Sequence, residues 1–295
     1  MPLVTTEKMF MDAQKEGYAV GAFNVENLEM VQAVVEAAEE LNSPVILQTS
    51  AKTVQYASFA YFHALVKTAA DGVSVPIALH LDHGNSFELA MQALRLGYTS
   101  IMIDGSHESF EDNVNLSKKV ADACSPSGIS VEAELGKVGG KEDDIDGGEG
   151  GLTEPLDAKE FVERTNVTSL AIAIGTSHGV YKGVPKLDLE RLSEIRKVVK
   201  VPLVLHGGSG LSEEAIKECI KRGICKVNYA TELRIAFTEG VKQALAEAPN
   251  IIDPKKFTSV GRAKVKQIAM EKIKTCGSVG KAESIGKAVS AVKAV

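Results

Sequence analysis

Residues 76–84 read PIALHLDHG: an aliphatic run opened by a proline that closes on His80, Asp82 and His83. Proline is tolerated at the first residue of a strand, and a short apolar run bounded by a turn signal fits a strand buried on both faces. The abrupt change to ionisable groups at its carboxyl end is the question this stretch raises. Seven further runs share its build: AVGAF (19–23), PVILQ (44–48), SIMID (100–104), ISVEAEL (129–135), LAIAIG (170–175), PLVLH (202–206) and CKVNYA (225–230). Between them lie stretches with helical spacing, such as Leu28, Val31, Val35, Ala38 and Leu41, and Phe87 to Leu96 closing on Gly97, and Glu213 to Arg222 closing on Gly223. Eight such alternations without a linker predict an α/β chain folded as a closed (β/α)8 TIM barrel, one domain over residues 1–295, in preference to an open doubly wound sheet. Two extra C-terminal helices, 232–247 and about 255–275, are expected outside the barrel or against another subunit.

Composition narrows the function. The 295 residues are 44% hydrophobic and 24% charged, an ordinary globular balance. A net charge of −6 with scattered lysines and arginines gives no basic stripe for nucleic acid or an acidic membrane surface. Small phosphorylated molecules stay open, because they need local donors only. Cys124, Cys219, Cys225 and Cys276 form no CxxC pair and no dense framework, and no leader or long apolar run is present, so a reducing cytoplasm is expected. Each cysteine reads as a small buried hydrophobe.

A barrel concentrates its chemistry beyond the carboxyl ends of its strands. There the runs deliver Asn24; Thr49 and Ser50; Asp82 and His83; Asp104; Glu132 and Glu134 on one strand face; His178; His206; and Asn228 with Thr231. His83, His178 and His206, each followed by glycine, are candidates for three imidazoles around one catalytic metal with an open position, zinc by ligand type. A single histidine at a strand end is commonly just a hydrogen-bonded group; three at corresponding ends argue for a shared role. His80 reads as a supporting or core group. Asp82, next to a ligand but pointing elsewhere, suits proton transfer. Asp104 and Glu134 fit either a second cation position or hydrogen-bond acceptors that orient the histidines.

The loops after runs seven and eight, GGSG (207–210) and NYAT (228–231), have the small residues and hydroxyls of a barrel phosphate site, and Lys182 could add a cation. Residues 137–155 hold six glycines and six acidic residues in nineteen positions, which predicts a mobile loop without helix or strand, and a lid able to deliver a carboxylate when closed.

Taken together, HLDHG, MIDGSH, SVEAELGKVGG, GTSHG, VPLVLHGGSG and KVNYATEL, in this order over nearly the whole chain, resemble the class II, zinc-dependent ketose-bisphosphate aldolases. The resemblance implies a (β/α)8 barrel that reversibly cleaves a ketose 1,6-bisphosphate, fructose or tagatose, to glycerone phosphate and glyceraldehyde 3-phosphate through a zinc-stabilised enediolate. It implies zinc on His83, His178 and His206; a second divalent metal or a monovalent cation near Asp104 and Glu134; Asp82 as the proton carrier at the aldehyde oxygen; and Glu142 as the lid's proton-abstracting carboxylate. Gly179, Gly207, Gly208, Ser209, Asn228, Tyr229, Ala230 and Thr231 would hold glycerone phosphate. Asn24 and Ser50 would meet the rest of the substrate, and Arg262 its second phosphate. A homodimer or homotetramer is implied as well. YKG (181–183) and GR (261–262) resemble fructose-type members, SLAIAIGTSHG and KTCGS (274–278) tagatose-type ones, so the motifs do not choose between the sugars. Two other classes fit parts of the pattern: a zinc hydrolase on the same barrel, and a noncatalytic subunit of an aldolase complex. Paired phosphate loops and a lid carboxylate speak against the first, the intact metal and acid positions against the second.

Overall fold

The computed structural model describes residues 3–142, 145–146, 150–181 and 183–282, without the side chains of residues 141–142 and 145–146. In chain order the elements are α1 (Thr6–Glu16), β1 (Val20–Asn24), α2 (Leu28–Glu40), β2 (Val45–Ser50), α3 (Ala51–Ala57), α4 (Phe59–Asp71), β3 (Ile77–Gly84), α5 (Phe87–Arg95), β4 (Ser100–Ile103), α6 (Phe110–Cys124), β5 (Ser130–Leu135), β6 (Gly139–Glu142), β7 (Ile145–Asp146), α7 (Pro155–Thr165), β8 (Ser169–Ile172), β9 (Ser177–His178), α8 (Leu189–Val198), β10 (Leu203–Leu205), α9 (Glu213–Lys221), β11 (Ile224–Tyr229), α10 (Thr231–Glu247) and α11 (Pro254–Thr275). Eight strands close into a parallel barrel in the order β1, β11, β10, β8, β5, β4, β3, β2, so the expected (β/α)8 barrel is the fold. All eight predicted runs are its strands. The helices close as read: Gly97 and Gly223 have φ of 82° and 112° just past α5 and α9, a left-handed conformation open to glycine at no steric cost.

One end of the barrel is plugged. Met9, Phe10 and Ala13 of α1 pack with Val20, Ala22, Ile46, Ala78 and Cys225 of the strands. Val4 N–H donates to the Ile77 carbonyl at 2.9 Å, and Thr6 and Glu7 bond to Ser100 and Ser130, the first residues of β4 and β5. The small side chains of Ala22 and Ala78 leave the room that the two large residues of α1 fill. With the amino ends of the strands sealed, the opening left to solvent is at their carboxyl ends.

Helices α10 and α11 lie outside the barrel, with α11 packed along α10 and α2. Their crossing is close because glycine stands on both sides: a Cβ on Gly240 would sit 2.7 Å from Gly261 Cα. Among the described residues no helix is long and apolar enough to cross a membrane. The four cysteines are buried and free, as read from their surroundings.

Residues 137–155 depart from expectation. They carry a short antiparallel pair, β6 with β7, and β6 also pairs in parallel with β9, Gly140 opposite His178. A bridge between Lys137 and Gly151 ties the base of this arm. Glycine content argued against strand on propensity; here it permits one. Gly140 has φ of 84°, and any Cβ there would overlap the backbone of His178.

Candidate metal and phosphate site

His83 sits in the last two residues of β3, at φ 46°, where the β3–β4 register shifts between Leu81 and Gly84. That shift turns His83 and Asp82 toward the mouth together. His206 follows β10 directly. His178 is further from its barrel strand than the sequence suggested, on β9 beyond the end of β8, yet one ring nitrogen of each histidine lies within 4.8 Å of the others.

The carboxylates around the rings fix their tautomers. His83 Nδ1 meets Asp104 Oδ2 at 2.7 Å, and His206 Nε2 meets Glu132 Oε1 at 3.0 Å. Beside ionised oxygens both nitrogens carry their protons, which leaves His83 Nε2 and His206 Nδ1 as lone pairs facing each other at 2.9 Å. Burial, the largest influence on His206 and on His178, lowers both pKa values and keeps these rings neutral. Two converging lone pairs repel unless a cation lies between them. Glu134 points the same way: its Oε2 is buried without a hydrogen bond, and burial together with the Asp104 charge raises its pKa well above the usual carboxylate value. His83, Asp104 and Glu134 form a second group with ligand atoms within 4.8 Å. Neutral imidazoles and an unsatisfied carboxylate are the donor set that suits zinc in the first group and a harder cation in the second.

Below the histidines lies a buried charge cluster that sequence reasoning did not assemble. Lys226 Nζ donates to both oxygens of Glu132, at 2.8 and 3.0 Å, and approaches His80 Nε2 at 3.3 Å. All three side chains are at most 1% exposed. For Glu132, burial acts upward and Lys226 downward; the net pKa is about 2. His80 is lowered to about 3, by burial first and then by Lys226. A neutral His80, an ionised Glu132 and a charged Lys226 thus form a compensated base under His206. The available signal was period-two alternation, which turns Lys226 inward with Asn228.

Asp82 is held by two amides: Asn24 Nδ2 donates to Oδ2 at 2.9 Å and Asn228 Nδ2 to Oδ1 at 3.2 Å. Burial, the largest influence, pushes its pKa up, but the combined electrostatic influence of the adjoining His83 and His206 rings and of Lys226 outweighs it and holds it below the usual range. Asn24 is fixed in turn, accepting from Gln48 Nε2 at 2.7 Å, so its amide is spent on orienting Asp82.

His178, Gly179, Gly207, Ser209, Asn228, Ala230 and Thr231 line one crevice beside the histidines, closed by the amino end of α10. Tyr181, outside the predicted set, ties its two sides: its hydroxyl accepts from Ser177 N–H at 2.9 Å and donates to the Gly207 carbonyl at 2.8 Å. The Tyr229 ring stacks on Phe23 at 5.7 Å and is buried in the core, so of this residue only the backbone is available to the crevice. Gly208 packs against β11, its N–H donating to the Asn228 carbonyl. Ser50 caps α3 and bonds to Thr53. Arg262 pairs with Glu36 between α11 and α2, away from this chain's own mouth. Glu142 ends β6, its side chain outside the described set, and Lys182 lies outside the described residues.

The family model of class-II fructose-bisphosphate aldolase matches residues 4–281. The chain belongs to the class II fructose-bisphosphate aldolase family. Solved aldolases share its architecture. The YdjI aldolase from Escherichia coli K12 is 40% identical, with a TM-score of 0.85 over 95% of this chain and 100% of that one. A putative fructose-1,6-bisphosphate aldolase from Coccidioides immitis is 33% identical, with a TM-score of 0.85 over 94% and 97%. A fructose-bisphosphate aldolase from Campylobacter jejuni, 24% identical with a TM-score of 0.79 over 95% and 97%, shares the fold.

Proposed function

We propose that this class II aldolase is zinc-dependent and cleaves a ketose 1,6-bisphosphate, fructose or tagatose, into glycerone phosphate and glyceraldehyde 3-phosphate, as a cytoplasmic homodimer or homotetramer. The observation that carries the reading is the facing pair of lone pairs on His83 Nε2 and His206 Nδ1, with Asp82 beside them and the small-residue crevice next to them. Zinc held by His83, His178 and His206 would supply a Lewis acid that polarises the ketone and stabilises the negative charge left when the adjacent proton or carbon departs.

The chain's own groups do the rest. The crevice and the amino end of α10 suit the phosphate of the glycerone half, through backbone donors and a favourable helix end. In cleavage, Asp82 takes the proton of the substrate hydroxyl as the carbon–carbon bond breaks, leaving an aldehyde; its low pKa keeps it ionised and ready to accept. The bonding electrons stay on the glycerone carbon, which is protonated by Glu142. In condensation both transfers reverse. The strand that carries Glu142 runs beside His178, which favours Glu142 for this task.

The test is cleavage of fructose and tagatose 1,6-bisphosphate side by side, with triose phosphate detected, before and after chelation and zinc re-addition. Chelator-sensitive turnover restored by zinc is the expected result, with the ratio of rates naming the sugar. Turnover that survives metal removal, or phosphate release without an aldehyde, overturns the reading.

A further inference from the structure

Resting on the zinc reading, we infer that α1 belongs to the support of the metal site: Thr6 and Ser100, acting through His80, Lys226 and Glu132, are positioning residues for His206, so that docking of α1 at the closed end of the barrel and metal binding at the open end favour each other.

The link is a continuous line of hydrogen bonds through the barrel interior. Its members, Thr6, Ser100, His80, Lys226, Glu132 and His206, are each at most 1% exposed. The Lys226 ammonium has three protons, and three acceptor atoms surround its Nζ: Glu132 Oε2 at 2.8 Å, Glu132 Oε1 at 3.0 Å and His80 Nε2 at 3.3 Å. An ammonium offers no lone pair, so His80 Nε2 accepts and Nδ1 carries the ring proton. That proton goes to Ser100 Oγ at 2.8 Å, which leaves the Ser100 hydroxyl proton for Thr6 Oγ1 at 3.1 Å. In the other direction Glu132 Oε1 accepts from His206 Nε2 at 3.0 Å, and the opposite nitrogen of that ring is the one offered to the metal. One buried ion pair thus sets the direction of every bond between the first turn of α1 and the metal ligand.

Helix α1 depends on the same strands. Its N-cap residue, Thr5, makes no side-chain cap bond; instead Ser130 Oγ accepts from the Glu7 N–H at 3.1 Å, on the strand that carries Glu132 two residues further on. Ser100 pairs with Ser130 across β4 and β5, and with His80 across β3 and β4. A terminal segment stays ordered only where it is tied down, and α1 is tied at the foot of the line that ends on His206. When α1 undocks, Ser100 loses its acceptor and Glu7 its cap together, and water gains the space beneath Lys226 and Glu132. Water raises the local dielectric and competes for the same donors and acceptors, so Glu132 holds His206 less firmly. The docked state therefore binds metal more tightly, and the metal favours the docked state by the same factor.

The experiment follows hydrogen exchange of residues 6–16 by mass spectrometry in the full chain, metal-free and zinc-loaded, in the wild type, T6V and T6S, and measures the zinc affinity of each by chelator competition. T6V keeps the shape of the side chain and removes the hydroxyl; T6S keeps the hydroxyl. Helix α7, outside this line of bonds, is the reference for any general tightening by the metal. In the wild type zinc is expected to slow exchange across α1, relative to α7, by about fivefold or more. In T6V that slowing should shrink toward none and zinc affinity should fall by the same factor, while T6S behaves as the wild type. Exchange across α1 that zinc leaves unchanged in the wild type overturns the inference without need of any variant. So does a T6V protein whose α1 exchanges faster at wild-type zinc affinity, because that is the behaviour of a contact that only holds the helix in place. A wild type that binds no zinc would instead sink the proposed function, and this inference with it.

Discussion

At the floor of the site Lys226, Glu132 and His80 stand on barrel strands with almost no exposed surface and hold His206 through charge. At the rim, Tyr181, Gly207 and Gly140 belong to connecting segments and hold the crevice and the arm through backbone hydrogen bonds and left-handed turns. The floor tolerates ionised groups because each meets an opposite charge at hydrogen-bond distance in a site water cannot reach. The rim tolerates irregular backbone because its donors and acceptors find one another across loops. Damage should therefore read out differently: loss of stability and metal affinity at the floor, loss of turnover or substrate binding at the rim.

The largest effect is expected from K226M. It strands the ionised Glu132 in the interior, a change of the kind that costs about 3–5 kcal/mol. Glu132 has its folded pKa lowered to about 2, so its pairing stabilises the fold above the ordinary carboxylate pKa and is lost only as pH falls toward 2; without Lys226 the carboxyl takes up a proton nearer neutrality. A lower urea midpoint together with weaker zinc binding is the expected pair of changes. A K226M protein with unchanged midpoint would mean that the cluster is not energetically closed. D104N comes next. It leaves the charge base intact and exchanges the ionised acceptor that fixes the His83 tautomer for a neutral amide, so zinc affinity should fall about 10–100-fold while the metal-free unfolding midpoint barely moves. Chelator competition on the zinc-loaded protein measures the first and thermal unfolding the second.

The eight strands and the three histidines were legible because aliphatic runs ending in polar groups repeat along the chain and barrel geometry says where such ends meet. Lys226 was not, because a lysine inside CKVNYA gains meaning only once Glu132, 94 positions away on a strand that is not its neighbour, is known to face it. The plug formed by α1 escaped for a similar reason: its Met9 and Phe10 read as an ordinary helix face until Ala22 and Ala78 are seen to leave a gap beneath them. Residues 137–155 misled in the other direction, since glycine lowers strand propensity in general but is what lets β6 approach β9. Arg262 and Tyr229 were placed by motif position alone, and only the fold says which way their side chains turn, Tyr229 against Phe23 and Arg262 against Glu36.

At the rim, G140A is the stronger perturbation. A side chain there must adopt φ of 84° and overlap the His178 backbone, so β6 is expected to separate from β9. If that pairing positions Glu142, kcat should fall about tenfold or more, since a misplacement of about 1 Å can cost about 100-fold, with the unfolding midpoint lowered far less than in K226M. A drop in midpoint as large as that of K226M would erase the distinction between floor and rim.

Y181F tests the rim at its finest grain. The substitution keeps the ring and removes one hydroxyl, and with it the bond from Ser177 N–H and the bond to the Gly207 carbonyl. Neither partner is an ionised group, so the loss is of the order of 1 kcal/mol, about fivefold. It should appear in KM for glycerone phosphate in the condensation direction, because the two bonds set the spacing between the segments of Gly179 and Gly207 on either side of the crevice. Zinc affinity should hold, since His178 keeps its pairing with β6 and His206 its contact with Glu132. A fall in zinc affinity without a change in KM would mean that Tyr181 serves the metal rather than the crevice, and that the segment bearing His178 belongs physically to the floor.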